Sequence, residues 1–346
     1  MRRYAANDLR TIALNALLAV GAYPDDAALV ADSLIDGNLT GHDSHGVIRL
    51  PIYVEAGRSG QVTAPARASL VRRKGATATV DANRGYGQPA MWLATEQAIA
   101  IAKDLGVACA AVQRCYHIGR TAPYVEAIAR QGLIGILMAN CAPAVAPFGG
   151  RGRVFGTNPI AWASPRANGQ EPLSHDIATA ASAEGKLKVA RAKGVPIPPG
   201  LIVDREGVPS IDPNDFYDGG AILAFGGHKG SGLSFLAQIL GRGLAGMDPS
   251  SYDGPRSVNG PVVLAIDPEC FSTMDEFLAH VEGQCAAVLA SPTAAGVDEI
   301  LLPGEPERRA RTERERDGVS LADPTILELE ALCDYAGIAM PDALGD

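Results

Sequence analysis

The chain has 346 residues, which is long enough to bury a hydrophobic core without disulfides or metals. Hydrophobic residues make up 47% and charged residues 20%, with 39 Gly and 24 Pro, a composition typical of a loop-rich globular α/β protein. The net charge of -9 repels polyanions, and no basic stretch before the C-terminal region offsets it, so we expect no nucleic-acid partner.

The cysteine pattern and the N-terminus give further expectations about cofactors and location. Six cysteines, at positions 109, 115, 141, 270, 285 and 333, form no CxxC pair, which argues against a zinc site or a disulfide framework. Polar residues interrupt the apolar run near the N-terminus, and no segment approaches the roughly 20 apolar residues of a membrane span. We therefore expect a cytoplasmic protein with reduced thiols, no bound metal and no membrane partner.

The first part of the chain predicts a series of short helices and strands. The predicted helices have apolar residues at helical spacing and cover residues 7–20, 25–37, 89–104 and 121–130. The predicted strands are short, apolar or β-branched runs at 68–72, 77–80, 107–112 and 133–138. The last two strands flank the helix over 121–130, which makes one β-α-β-like passage.

The second part begins with residues 140–228, which are so rich in Gly and Pro that we expect turns facing a ligand. Regular elements follow, with a strand at 262–266 and helices over 230–246 and near 275–289 and 324–336. The run 305–316 carries mixed charge and is interpreted as a solvated surface helix.

Two glycine-rich segments are candidates for binding a phosphate. Residues 241–246 match GxGxxG, but they follow a helical run instead of a strand, so we interpret the match as a false positive and predict no Rossmann fold. Residues 226–232 are better suited, because glycines can expose backbone N–H groups and Lys229 adds a charge at a helix start. An ordinary glycine turn before a buried helix is the alternative.

Histidine and arginine residues indicate where chemistry could occur. Oxidising an alcohol beside a carboxylate needs a general base near neutral pKa, a cation for the carboxylate and a hydride acceptor. The segment 41–53 offers His45, Arg49 and Tyr53, which line one wall of a cleft if Pro51 begins a new helix. The alternative is a helix end whose histidines only cap carbonyl groups.

A second histidine candidate, His117, follows a predicted strand and precedes a predicted helix. A histidine in such a loop can also be purely structural. A metal site at His42 and His45 is a further alternative, but the pair lacks a nearby third ligand.

Taken together, these segments resemble the type 2 malate/L-lactate dehydrogenase family, which also contains ureidoglycolate, sulfolactate and cyclic-imine-acid enzymes. The order of the motifs, more than any single one, carries the resemblance over nearly the whole chain. The matching segments are 41–46, 49–51, 85–88, 117–120 with Tyr124, 147–150, 156–159, 176–179, 185–186, 227–230 and 303–305.

The resemblance implies a non-Rossmann α/β fold, with a largely antiparallel sheet that binds NAD or NADP and a helical lobe formed by both termini. It implies an N-terminal helical lobe with the catalytic segment (1–65), a cofactor and substrate domain (66–304), and a C-terminal helical segment that returns to the first lobe (305–346). A homodimer and a small carboxylate substrate are also implied. Without a Rossmann unit, the sequence does not choose between NAD and NADP.

The resemblance also implies roles for individual residues. His117 is the favoured acid/base residue with His45 second, and Arg49 clamps the substrate carboxylate. Support for the substrate comes from Ser44 and Tyr53, and the pocket is shaped by Thr157 and Asn158. Cofactor-binding positions are Asn140, Cys141, Asp176, Ile177, Ala178, Thr179, His228, Lys229, Gly304 and Glu305. Ala180 and Cys141 replace hydroxyl residues common in the family, which weakens the hydrogen bonds expected to the cofactor.

We therefore predict reversible hydride transfer between a nicotinamide cofactor and a small 2-hydroxy acid, such as malate or L-lactate. Reduction of a cyclic 2-imino acid by NAD(P)H is an alternative that uses the same residues. Two other classes are a non-catalytic small-molecule binder and a hydrolase with Ser44 as nucleophile, although no GxSxG elbow surrounds that serine.

Overall fold

The computed structural model of the protein describes residues 2–246 and 259–345. Its first two helices, α1 (Ala6–Ala19) and α2 (Pro24–Leu39), pack against each other. Both bury a stripe of apolar residues at helical spacing, and Pro24 begins α2 because the missing N–H of proline has no partner in a first helical turn. The helices predicted over 7–20 and 25–37 are confirmed.

The two ends of the chain meet around these helices. β1 (Arg2–Tyr4) pairs antiparallel with β12 (Val319–Leu321), and α11 (Asp323–Ala336) packs against α1 and α3 (Leu50–Arg58). Apolar residues from both ends share one core, which includes Leu9, Leu34, Leu50 and Leu329. The terminal segments therefore fold as one helical lobe, because neither end alone could bury its apolar stripe.

The mixed-charge run forms α10 (Glu305–Asp317), and it differs from the predicted solvated helix. Arg311 forms an ion pair with Asp36 of α2, and Arg314 donates to Asp43, just beyond α2, at 2.6 Å. One side of α10 is therefore docked through its arginines on the N-terminal helices, while other residues of the helix stay exposed.

A seven-stranded sheet forms the centre of the molecule. Its strands are β2 (Ser69–Lys74), β3 (Thr77–Asp81), β4 (Val107–Gln113), β5 (Ile134–Ala139), β6 (Ile160–Ser164), β7 (Leu173–Ile177) and β11 (Pro261–Ile266). They lie in the order β2-β3-β4-β11-β5-β6-β7, and β3 with β4 is the only parallel pair of this sheet in the described residues. The prediction of an α/β fold with a largely antiparallel sheet is confirmed.

Two helices, α4 (Gly87–Leu105) and α5 (Ala122–Ala129), pack on the sheet and share its core. The β-α-β-like passage consists of β4, α5 and β5 in chain order, as predicted. However, β11 lies between the two strands and pairs antiparallel with both. In a simple β-α-β unit the two strands can pair directly with each other. Here the apolar strand β11, which is remote in sequence, lies between them.

In the sequence between β7 and β11, the chain forms a group of smaller elements. It contains α6 (Glu184–Lys193), α7 (Pro213–Tyr217) and the three short strands β8 (Ile202–Val203), β9 (Pro209–Ser210) and β10 (Ala221–Ile222). α8 (His228–Gln238) follows and continues into a π-helical turn, Ile239–Gly243, before α9 (Met274–Leu289).

The π-helical turn contains the first three residues of the GxGxxG match at 241–246. It continues a helix and does not join a strand to a helix, so the interpretation of this match as a false positive agrees with the structure. Among the helices of the described residues, none has both the length and the apolar composition needed to cross a bilayer.

Candidate active site

The segment that carries His45 is held in place by a buried asparagine of α2. The segment forms two short 3-10 turns, Asp43–His45 and Val47–Arg49. The side chain of Asn38 donates to Asp43 Oδ1 at 2.8 Å and accepts the Val47 backbone N–H at 2.8 Å. Because one rigid amide bridges the residues before and after His45, the position of this imidazole is fixed by α2.

Glycine is required where the segment touches α2. A Cβ atom on Gly46 would overlap the side-chain amide of Asn38, and one on Gly37 would lie 2.8 Å from the carbonyl oxygen of His45. The 41–46 motif therefore has a structural reason for its glycine next to the histidine.

The structure brings the two predicted histidines together. His117 lies in the loop between β4 and α5, and its ring stacks on the ring of His45 with centroids 5.6 Å apart. Tyr53, which faces them from α3, has its hydroxyl 2.6 Å from His117 Nδ1. Residues from the N-terminal lobe and from the sheet therefore form one cluster.

Both imidazoles of this cluster are neutral near pH 7. Burial, followed by the positive charge of Arg49, lowers the pKa of His45 to about 4, while the carboxylate of Asp176 opposes this shift. Burial, followed by the charges of His45 and Arg49, holds the pKa of His117 well below its usual range. A neutral imidazole has one donor and one acceptor nitrogen, so the pair can exchange a proton with a hydroxyl group.

Arg49 presents its guanidinium group to the same cluster. Its Nε donates to the backbone carbonyl of Ser44 at 2.7 Å, which fixes the base of the planar group. Within residues 2–246 and 259–345, the two terminal nitrogens have neither a hydrogen bond nor an ion pair. Pro51 stands in the first turn of α3, as predicted, so the helix begins directly after this arginine.

Ser44 lies beside His45 and against α6. Its hydroxyl is 3.1 Å from His45 Nδ1. A Cβ atom on Gly185 would be 3.2 Å from Ser44 Cβ, so the first turn of α6 passes close to the segment that carries His45. The 185–186 motif thus lies next to the histidine cluster.

A second network joins the predicted pocket residues at the ends of β5 and β7. Asn158 accepts the Cys141 N–H at 2.9 Å and donates to Ser234 O and Gln238 Oε1, each at 3.0 Å. Thr179 donates through its hydroxyl to Asn158 O at 3.0 Å. Asn158 is fully buried, so its side chain braces the loops, and its predicted contact with substrate stays a prediction.

Thr157, Asn140 and Cys141 are further predicted residues around this network. Thr157 accepts the Thr179 N–H through its backbone carbonyl at 2.9 Å. Asn140 accepts the Gly260 N–H at 2.7 Å through its side chain. Burial raises the pKa of the Cys141 thiol, so this group stays protonated.

Asp176, Ile177 and Ala178 form the end of β7 and the residue after it. One carboxylate oxygen of Asp176 accepts the N–H groups of Thr121 and Ala122, at 2.8 and 2.9 Å, and so caps the start of α5. Because the charge of Asp176 acts on His45, it connects the sheet to the histidine cluster.

Two pairs of predicted cofactor residues lie outside both networks. His228 and Lys229 begin α8 and are exposed, with the His228 ring 5.9 Å from the ring of Phe148. The N–H of Gly230 donates to Phe225 O, so this part of the glycine turn does not offer a free backbone donor.

Gly304 and Glu305 lie at the start of α10. Gly304 has φ of 89° and approaches Ser174 of β7, while Glu305 accepts the Leu302 N–H at 2.7 Å. No hydrogen bond between the described residues joins this pair directly to the histidine cluster. The described residues also contain no group of three or more potential metal ligands.

Three buried amides that organise the site, Asn38, Gln88 and Asn259, were not predicted from the sequence. Gln88 donates to the Tyr53 hydroxyl at 3.1 Å. Asn259 accepts the Ile118 N–H at 3.2 Å and donates to Asn140 O at 2.6 Å, which joins the His117 loop to the second network. Gln88 lay in the 85–88 motif, but Asn38 and Asn259 had no local signal, because their partners are remote or lie in irregular turns.

Comparisons with known proteins place this arrangement in a family. Residues 4–330 match the family model of malate/L-lactate dehydrogenase. Hydroxycarboxylate dehydrogenase B of Escherichia coli O157:H7 is 37% identical, with 98% of this chain and 95% of the relative covered. The (2R)-3-sulfolactate dehydrogenase (NADP(+)) of Chromohalobacter salexigens is 36% identical, covering 95% of this chain and 98% of the relative.

A solved structure agrees with these matches. The delta1-piperideine-2-carboxylate reductase of Pseudomonas syringae superposes with a TM-score of 0.83 at 32% identity, covering 96% of this chain and all of that chain. Because the family model spans most of the chain and the relatives match it nearly end to end, this chain belongs to the malate/L-lactate dehydrogenase family.

Proposed function

We propose that the protein transfers a hydride between NAD or NADP and a small 2-hydroxy acid, with the His45 and His117 pair as acid/base and Arg49 as the carboxylate clamp. The enzyme class, an NAD(P)-dependent 2-hydroxyacid dehydrogenase, follows from the family membership. The residue roles and the substrate are the proposal.

The observation that carries the proposal is the guanidinium group of Arg49 beside two neutral imidazoles. Its terminal nitrogens have no partner within residues 2–246 and 259–345, so its planar fork can receive a carboxylate in a bidentate contact. A carboxylate there places the neighbouring carbinol next to the imidazole cluster. Positioning of this kind supplies much of the rate of a bimolecular reaction.

The reaction conserves atoms and electrons through simple transfers. The C2–H bond breaks, and its hydrogen leaves with two electrons. The O–H bond also breaks, its proton goes to an imidazole of the pair, and C2=O forms. The bound nicotinamide supplies the hydride acceptor in this direction and the donor in the reverse direction. A neutral imidazole can accept a proton, and the low pKa of His45 keeps this ring in its neutral form at pH 7.

The residues present fit a dinucleotide in part. Lys229 and His228 are exposed at the start of α8, where Lys229 can pair with a phosphate through its charge. The loops at Asn140–Cys141 and Asp176–Thr179 are the proposed nicotinamide side of the site. Asn259 links Asn140 to the loop of His117, and the charge of Asp176 acts on His45, which supports this choice. Gly304 and Glu305 are proposed to contribute from the start of α10. This arrangement supports a non-Rossmann mode of binding, because the GxGxxG match continues a helix instead of joining a strand to a helix.

A second candidate reaction is reduction of a cyclic 2-imino acid. The solved relative named above is a piperideine-2-carboxylate reductase, and its substrate also has a carboxylate next to the reacting carbon. In that reaction a protonated imidazole would donate to nitrogen, while Arg49 would hold the same carboxylate.

Following reduced-nicotinamide absorbance with both cofactors tests the proposal. The substrate panel comprises malate, lactate, sulfolactate, ureidoglycolate and a cyclic 2-imino acid, each in the reduction and oxidation direction where stable. Turnover of one class selects that class. Absence of turnover with every 2-oxo and 2-imino acid would contradict both reactions.

The oligomeric state, location and domain division are also proposals. A homodimer is supported by an exposed apolar strip on α8 and the turn after it, formed by Leu233, Phe235, Leu236, Ile239 and Leu244. A cytoplasmic location is supported by the six cysteines, which all lie in described segments and are unpaired. The division at residues 65 and 304 is supported by the separate cores of the terminal lobe and the sheet.

A further inference from the structure

Gln88 is a fully buried amide next to the proposed catalytic cluster, and the proposed reaction gives it no role. It lies in the first turn of α4, and its Nε2 donates to the Tyr53 hydroxyl at 3.1 Å. Its Oε1 has no hydrogen-bond partner in the described part of the chain. A buried amide with one unsatisfied atom is costly, so its presence next to Tyr53 calls for a functional reason.

The hydrogen bonds around Tyr53 have a defined direction. The backbone N–H of Gly119 points at His117 Nδ1 at 3.3 Å, and a backbone N–H can only donate. Nδ1 is therefore an acceptor and carries no proton. The Tyr53 hydroxyl, 2.6 Å from the same nitrogen, must then donate its hydrogen to it. That leaves the Tyr53 oxygen to accept from Gln88.

We propose that Gln88 is a positioning residue that, through Tyr53, keeps neutral His117 in the tautomer with its proton on Nε2. The catalytic consequence of this inference rests on the proposed function, but the tautomer of His117 can be measured without turnover. His117 would then donate a hydrogen bond to the substrate oxygen. It would not act as the base, the role favoured for it from the sequence.

The donor role fits both directions of the proposed reaction. In oxidation, the alcohol oxygen accepts the Nε2–H of His117 and releases its own proton to a separate base. In reduction, the carbonyl oxygen accepts a hydrogen bond from the same Nε2–H while the hydride arrives at C2. His45 is the remaining imidazole of the cluster, and it is the group available to take up or return the hydroxyl proton of the substrate. Burial keeps Tyr53 a neutral phenol, because it raises the pKa of this side chain above its usual range.

The backbone around Gln88 is built to hold this chain of hydrogen bonds. A Cβ atom on Gly87 would overlap the carbonyl oxygen of Tyr116 and lie 2.6 Å from that of His117. Only glycine therefore lets the start of α4 approach the His117 loop this closely. Tyr86 donates through its hydroxyl to the backbone carbonyl of Tyr53 at 3.1 Å. The 85–88 motif thus positions Tyr53 through both its backbone and its hydroxyl.

Nitrogen-15 NMR of histidine-labelled protein at pH 8 tests the proposal, with His117→Gln used to assign the signal. In the wild-type protein we expect Nε2 protonated and Nδ1 unprotonated. In Gln88→Glu the new carboxylate can accept the Tyr53 hydrogen, which leaves only the longer 3.3 Å contact of Gly119 on Nδ1. We then expect the stronger 2.6 Å contact to reverse, so that Nδ1 of His117 gains a proton and donates it to the Tyr53 oxygen. Gln97→Glu is the matched control, since Gln97 lies on the same helix without a hydrogen bond in the described residues, and it should leave the pattern unchanged.

A wild-type signal with the proton on Nδ1, or an unchanged pattern in folded Gln88→Glu, would overturn the proposal. If Gln88→Glu does not fold, Tyr53→Phe gives the answer, because it removes the donor to Nδ1. We then expect a mixture of His117 tautomers, and a pure Nε2–H form would overturn the role of the hydrogen bonds from Gln88 through Tyr53. Kinetics add a separate readout: loss of the donor should lower kcat on the order of 100-fold with little change in the KM for the carboxylate substrate.

The two proposals fail in different ways. If no 2-oxo or 2-imino acid turns over but the tautomer changes as expected in Gln88→Glu, the proposed function is wrong and the positioning role stands. If turnover is normal and the tautomer does not respond, the positioning role is wrong and the proposed function stands.

Discussion

The titration of His45 is the sharpest prediction from the geometry of the site. Its pKa of about 4, against the ordinary 6.5, corresponds to about 3 kcal/mol in favour of the neutral imidazole. At pH 7 only about 0.1% of the free protein would carry a proton on this ring. Burial is the largest cause and the charge of Arg49 the next, so the second cause can be changed by a ligand.

A carboxylate bound to Arg49 offsets its positive charge, so we expect the pKa of His45 to rise toward 6.5 on binding. A group whose pKa rises on binding takes up a proton as the ligand binds, in the pH window between the two values. Carboxylate affinity should therefore increase as the pH falls from the pKa of the complex, which stays below 6.5 because His45 remains buried, to about 4, by at most tenfold per pH unit. Above pH 7 the affinity should be independent of this group.

The assay is an NMR pH titration of carbon-13-labelled histidine, with and without the non-reacting carboxylate oxamate and the oxidised cofactor. His45→Asn identifies the signal. His42 serves as an internal comparison, because it lies close by but is partly exposed. A His45 signal that titrates near 6.5 in the free protein, or that does not move when oxamate binds, would refute the coupling between Arg49 and this imidazole.

The other predictions concern Arg49, Arg314 and Gly87. Arg49→Leu should weaken carboxylate binding by about 2–5 kcal/mol, which is measured as a raised KM. Arg73→Leu, on the exposed strand β2, should leave the KM unchanged. An unchanged KM in Arg49→Leu would mean that Arg49 is not the clamp. Arg314→Met frees Asp43 and should lower kcat through the His45 segment, with less than about 1 kcal/mol lost from the free energy of unfolding; an unaltered kcat would speak against this contact. Gly87→Ala should destabilise the protein by about 1–3 kcal/mol, measured as a lower Tm, because its Cβ would overlap Tyr116 O. Gly152→Ala meets nothing within 4 Å and should have little effect; equal Tm values for both variants would contradict the close approach.

The elements that sequence could predict are those specified locally. The periodicity of residues 7–20 and 25–37 required buried stripes, and α1 and α2 have them. Pro51 located the start of α3 to within one residue, because proline fits the first helical turn. The apolar runs at 107–112 and 133–138 became β4 and β5 for the same local reason.

The arrangement of those elements depended on remote partners. Nothing local at 261–266 shows that this strand separates β4 from β5, because the pairing partners lie more than a hundred residues away. The charged run of α10 looked solvated, since the sequence does not show that Arg311 and Arg314 meet acidic residues near α2. Long-range ion pairs and strand order are set by tertiary packing, which local patterns do not contain.

The candidate site shows the same division. His45, Arg49 and Tyr53 could be grouped from the sequence because they share one short segment, whereas their grouping with His117 came from the family resemblance. Asn158 was predicted to face the pocket, but its buried side chain has protein partners on both its oxygen and its nitrogen. Motif position indicates that a residue matters, and only the fold indicates which way its side chain points.

The cluster is built across the contact between two cores, and this has a mechanical consequence. His45 belongs to the terminal lobe and His117 to the loop that leaves the sheet, so their 5.6 Å separation depends on how the lobe sits on the sheet. That contact is held by the buried ion pair of Arg120 with Asp36, at 2.9 Å, and by the hydroxyl of Tyr86 on the Tyr53 carbonyl. Because the imidazoles do not bond to each other, these remote contacts set their geometry. Substitutions there should change catalysis without touching a catalytic side chain, in the way that small misplacements of reacting groups lower rates.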